Sequence, residues 1–94
     1  MPYLHFYSMT NFVIVRKGVN DIFIKEFGKN LRKIRMSKNI SMQTLAYTIN
    51  VEYSQISRIE LGKINTSIST VFEISKALEV PLLSFFNFEI KESY

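Results

Sequence analysis

Between Asp21 and Phe86 the apolar residues of the chain recur at helical spacing, in runs separated by residues that start and stop helices. Phe23, Phe27, Leu31 and Ile34 stand four, four and three apart, the buried stripe of one α-helix. Asn20 or Asp21 is placed to cap this helix, and Lys38 lies near its end. Ser41 is placed to cap a second helix carrying Leu45, Ala46 and Ile49. Asn50 follows where the chain must reverse, and asparagine tolerates the left-handed conformation better than most residues. Val51, Ile56 and Ile59 carry the pattern into a third helix, about Glu52 to Leu61, which Gly62 is placed to stop as a left-handed C-cap. The small Ala46 suits the contact where the second and third helices cross. Ser67 caps a fourth helix with Ile68, Val71, Phe72, Ile74, Ala77 and Leu78 turned inward, and Pro81 suits the first turn of a short fifth, PLLSFF.

Two segments depart from this period. Thr10 to Val15 (TNFVIV) is rich in β-branched residues, and Phe86 to Lys91 (FNFEIK) alternates strictly between apolar and polar. Both have the character of short strands that could pair with each other or with a second subunit; the alternative is a frayed N-terminus and a tail that merely packs. The chain therefore divides into an N-terminal extension over 1–20, a helical domain over 21–87 and a tail over 88–94.

Ninety-four residues suffice for one core. With no cysteine, disulfides and thiolate metal sites are excluded, and the lone His5 has no second histidine to share a metal. No metal or cofactor is expected. The Arg16–Lys17 pair follows the apolar-leaning first fifteen residues rather than preceding them, unlike a signal peptide. No apolar run approaches a membrane span, so the expected location is the cytoplasm. Residues 1–64 carry ten basic groups against Asp21, Glu26, Glu52 and Glu60, whereas residues 65–94 carry Lys76 and Lys91 against four acids. The first part suits a polyanion and the second does not.

Ser41 to Lys63, SMQTLAYTINVEYSQISRIELGK, is the pattern of a helix-turn-helix, whose second helix lies in the major groove of DNA. Together with FGKNLRKIR (27–35), ISMQTLA (40–46), NV (50–51), QISRIELGK (55–63) and ISKALEVP (74–81), it resembles the Cro/phage-repressor, or XRE-like, class. The resemblance implies an all-α, five-helix, lambda-repressor-like DNA-binding domain in a transcriptional regulator.

Position by position, the resemblance implies that Arg35 and Glu60 form an internal salt bridge; the guanidinium fork of Arg35 also suits a phosphate. Tyr53, Ser54, Ser57 and Arg58 occupy the positions that reach bases or flanking phosphates. Arg58 is the strongest candidate for readout, because arginine bonds the O6 and N7 of guanine together. Gln43, Thr44, Gln55, Lys63 and Asn65 are the implied phosphate contacts. Three positions depart from the family's usual residues: Met42 where glutamine is usual, Asn50 for glycine, and Leu61 for a polar side chain. The first and third weaken backbone anchoring. Leu82, Leu83, Phe85, Phe86 and Phe88 exceed what so short a segment can bury, and the family places a two-fold interface here.

The expected partners are double-stranded DNA carrying a palindromic operator and a second copy of the chain. An antitoxin-like or anti-repressor module that holds another protein is the alternative on the same fold. An enzyme is not expected, since no core histidine, cysteine nucleophile, Gly-rich phosphate loop or carboxylate cluster is read from the sequence.

Overall fold

The computed structural model describes residues 9–90, with side chains from residue 20 onward. Four α-helices, α1 (Met9–Ser37), α2 (Met42–Ile49), α3 (Tyr53–Glu60) and α4 (Ile68–Leu78), precede a 3-10 helix, Leu82–Phe86. Helix α3 packs on α1 and α2, α4 on α2, and the 3-10 helix closes over α1 and α4. Leu31, Leu45, Ile56, Ile59, Ile74, Leu78 and Phe85 are fully buried where these elements meet.

Hydroxyl caps start α2 and α4. Ser41 accepts from the Thr44 N–H at 3.0 Å and Ser67 from the Thr70 N–H at 3.1 Å, each pairing one of the amides a helix start leaves without a partner. All four α-helices stop in the same way. Asn39, Asn50, Gly62 and Glu79 take left-handed φ values of 58°, 60°, 71° and 56°. The next N–H then returns to a carbonyl five residues back: Ile40 to Arg35, Val51 to Ala46, Lys63 to Arg58 and Val80 to Ser75. This is the Schellman turn. In three of the four stops the returning residue, Ile40, Val51 or Val80, packs on the core, so the turn that ends the helix also seals it.

Gly62 takes the left-handed stop expected of it, one residue after Leu61, which ends α3 in right-handed geometry. A second close approach involves a glycine the apolar periodicity does not mark. A Cβ on Gly28 would stand 2.5 Å from the Glu60 carbonyl oxygen, so the absence of a side chain there lets α1 and α3 touch backbone to backbone.

Neither expected strand is present among the described residues. Residues 10–15 lie inside α1, which begins at Met9 rather than near Asp21. A helix pairs its own backbone groups, whereas a lone strand leaves a row unpaired, and β-branching costs only tenths of a kilocalorie per residue against that. The alternation at FNFEIK has another cause. Asn87, at φ −83° and ψ 71°, forms an inverse γ-turn in which the Phe88 N–H donates to the Phe86 carbonyl at 2.9 Å. Both rings thereby meet Phe23, at centroid distances of 6.2 and 5.5 Å.

The short fifth helix is 3-10 rather than α, with Pro81 at its N-cap instead of inside its first turn. It is held by Asn30, whose Nδ2 donates to the carbonyls of Ser84 and Phe85 at 2.9 and 2.8 Å. Phe27 meets the Phe85 ring edge-on at 6.1 Å. Two α4 residues expected inside face out: Ile68 is 87% exposed, and Phe72 lies under the Lys76 ammonium, 5.3 Å from its ring centroid. Phe23 is likewise partly exposed, since the core beneath α1 begins at Phe27.

Glu79 is the one left-handed stop held by neither glycine nor asparagine. Glu79→Gly removes the Cβ conflict and should stabilise the fold by about 1 kcal/mol, read as a rise in Tm. An unchanged or lower Tm would show that the left-handed geometry carries no strain there.

Candidate nucleic-acid interface

The face of α3 opposite the core carries the polar chemistry. Ile56, Ile59 and Glu60 are buried, whereas Tyr53, Ser54 and Arg58 are exposed and Gln55 and Ser57 half-buried. Tyr53, Ser54, Ser57 and Arg58 recur at the spacing of one helical face, so α3 gathers them on one ridge.

The orientation of that ridge is set by Arg35 and Glu60, which are 7% and 6% exposed. Arg35 Nε donates to Glu60 Oε2 at 2.5 Å and Nη2 to Oε1 at 3.0 Å, a bidentate pair joining the last turn of α1 to the last turn of α3. Nη1 donates to the Ile40 carbonyl at 2.8 Å, just before α2 begins. One guanidinium thus fixes the meeting point of three helices. Each of its three nitrogens bonds inside the protein and the residue is buried, so Arg35 serves the interior rather than a phosphate.

Helix α2 offers a second edge. Gln43 and Thr44 are exposed at its first turn, and the amides of Met42 and Gln43 precede the helical ladder. The Thr44 hydroxyl accepts from Ser41 Oγ at 3.0 Å, which leaves Gln43 the freer side chain of the two. Met42 explains its departure from the family by packing on the core, while Leu61 is exposed at the end of α3. Beyond the Gly62 turn, Lys63 and Asn65 are exposed and Ile64 between them packs on the core, which anchors this loop beside α3.

The residues assigned to the subunit contact do not stay together. Phe85 is 0% exposed at the centre of the fold and contributes to no surface. Its ring is too well enclosed by α1 and α4 to be offered to a partner, so that assignment is corrected to a core role. Phe88 is half-buried against Phe23. Leu82, Leu83 and Phe86 remain exposed, Leu83 at 78%. The apolar periodicity misses the rest of this face: a shallow groove lined by Phe23, Ile24, Phe27, Ile68, Val71 and Phe86 continues it onto α1 and α4. The signal lay in Ile68 and Phe72, which extend the apolar arc of α4 beyond what one core can cover.

Residues 31–85 match the model of a helix-turn-helix family, HTH_3, which is more than half of the chain. The control protein C.BamHI of Bacillus amyloliquefaciens is 44% identical over 55 residues, 57% of this chain and 68% of that protein. The control protein C.MunI of a Mycoplasma species is 36% identical over 70 residues, 73% of this chain and 93% of its own length. Among solved structures, the restriction-modification controller protein C.AhdI of Aeromonas hydrophila superposes with a TM-score of 0.65 at 28% identity, covering 67% of this chain and 96% of that one. None of the helices among the described residues is long and apolar enough to cross a membrane.

Replacing Arg35 by Met leaves the Glu60 carboxylate buried without its partner, so stability should fall by about 3–5 kcal/mol in denaturant titration. A variant that folds with wild-type stability would remove this pair from its structural role.

Proposed function

The chain belongs to the HTH_3 helix-turn-helix family and is a DNA-binding regulator, and on that footing we propose that it binds a palindromic operator as a homodimer with α3 in the major groove. The observation that carries this reading is the ridge of exposed Tyr53, Ser54 and Arg58 with half-buried Ser57, on a helix clamped from behind by the buried Arg35–Glu60 pair. A helix that presents short hydroxyls beside one arginine enters a groove deeply and reads few bases strongly. Arg58 supplies the readout, donating to the O6 and N7 of a guanine. Tyr53, Ser54 and Ser57 contact base edges and the adjoining sugar-phosphate, where short side chains discriminate weakly.

Backbone contacts hold the register. Gln43, Thr44 and Gln55 meet phosphates on one side of the groove, and the α2 amides add their dipole there. Lys63 and Asn65 meet phosphates on the other side. One such domain covers only a few base pairs, so specificity calls for two copies reading half-sites about one turn, roughly 34 Å, apart. The exposed Leu82, Leu83 and Phe86, continued by Phe23 and Ile68, supply the self-complementary apolar face for the two-fold contact.

The likeness to C.BamHI, C.MunI and C.AhdI supports a narrower assignment, control of a restriction-modification locus. The first two are named control proteins and the third a restriction-modification controller protein, and regulation is the activity proposed here.

Selecting bound sequences from random DNA should return an inverted repeat. The same selection with Arg58→Ala should lose preference at one base pair per half-site, with operator affinity falling by about 1–3 kcal/mol. Identical preferences in the two proteins would exclude Arg58 from readout. Leu83→Asp places a charge in the proposed two-fold contact and should give a folded monomer by analytical ultracentrifugation, with protection of the repeat lost. A dimer that survives this change would move the contact elsewhere.

A further inference from the structure

The α1 residue nearest the loop after α3 is a lysine that neither the family pattern nor the recognition ridge uses. Lys25 lies ahead of residue 31, where the family match begins. A Cβ placed on Gly62 would stand 2.7 Å from the Lys25 Cα, 2.7 Å from its Cγ and 3.2 Å from its Cβ. The Lys25 stem therefore runs directly over the glycine that ends α3. That approach needs position 62 to be bare, just as the left-handed turn does. The residue after Gly62 is Lys63, exposed and proposed above as a phosphate contact.

The Lys25 stem, from α1, and Lys63, from the loop after α3, thus both adjoin Gly62 at the end of the reading helix. Neither is neutralised locally. The ion pairs among the described residues are Lys29–Glu26 at 3.3 Å and Arg35–Glu60, so Lys25 and Lys63 have no acidic partner there. An anion lying beside both stems is attracted by two positive charges at once. The stem crossing Gly62 restricts where the Lys25 ammonium can go, whereas a lysine on an open helix face is free to sweep.

We propose that Lys25 is a second phosphate clamp, acting with Lys63 on the DNA backbone beside the C-terminal end of α3. The inference rests on the DNA-binding reading and extends the interface to a helix that reading leaves out. The contact is electrostatic and independent of sequence, so it adds affinity on every duplex and changes no base preference.

The test uses the full chain and two duplexes, the operator recovered by selection and one of arbitrary sequence, titrated across a range of salt concentrations. Lys25→Met keeps an apolar stem over Gly62 and removes the charge. Lys33→Met, an exposed cation on α1 with no approach to Gly62, is the control for diffuse charge. Lys25→Met should weaken binding to both duplexes alike and flatten the slope of log affinity against log salt by about 0.9 per subunit, with Tm unchanged. Lys33→Met should leave the slope near wild type. An unaltered slope in Lys25→Met overturns the clamp while the steep wild-type salt dependence leaves DNA binding standing. Equal flattening by both variants overturns it in favour of general positive charge. A wild-type protein that binds neither duplex removes the DNA reading and this inference together.

Discussion

The bidentate pair between Arg35 and Glu60 is the contact on which the geometry of this protein turns. It is almost completely enclosed, and it spans the ends of α1 and α3 while its third nitrogen reaches the Ile40 carbonyl ahead of α2. Taking two charges out of water is expensive, so such a pair is a poor device for raw stability. Its value is directional. An apolar contact in the same place tolerates rotation of α3 about its axis, whereas two parallel hydrogen bonds to a planar guanidinium do not. Rotation by one residue would turn Arg58 away and bring a buried isoleucine to the surface.

The backbone contact at Gly28 works with this pair. Because α1 carries no side chain at that point, its backbone comes against the carbonyls at the end of α3, three and four residues after Ile56. The ion pair fixes rotation, and the bare contact fixes separation. Only the first was legible in the sequence, since a charged pair is recognised from a family pattern. A glycine in mid-helix reads as a mere weak point until the facing backbone is seen.

What else was legible follows the same division. Ser41, Ser67, Asn50 and Gly62 act through their own backbone and hydroxyl chemistry, which local sequence encodes directly, and the α2–α3 motif was therefore visible. Residues 10–15 and 86–90 were misread because their propensity is local but their conformation is decided elsewhere. The helix expected from Asp21 reaches back through the first segment, and an inverse γ-turn at Asn87 imitates the period of a strand in the second. The assignment of Phe85 failed because counting apolar residues shows how many cannot be buried, not which. In α4 the same arithmetic left Ile68 and Phe72 outside, and the exposed face is broader than the last helix alone. Of the α3 positions that the resemblance marked, Tyr53, Ser54 and Arg58 are exposed and Ser57 is half-buried; what touches each of them lies beyond the chain itself.

The two ends of α3 are held very differently. At its C-terminal end the Schellman turn through Gly62, the Glu60 carboxylate and the Gly28 contact converge within three residues. At its N-terminal end Glu52 makes no capping bond with its side chain, and only its carbonyl engages the first turn, accepting from the Gln55 N–H at 3.0 Å. Helix α3 is therefore a cantilever, clamped at its root and uncapped by any side chain at its tip. Arg58 stands two residues before the root, so the clamp sets where its backbone lies, while its side chain is exposed. Tyr53 and Ser54 stand at the tip, one turn away from those contacts. A single short helix thus carries its anchorage at one end and its open face at the other.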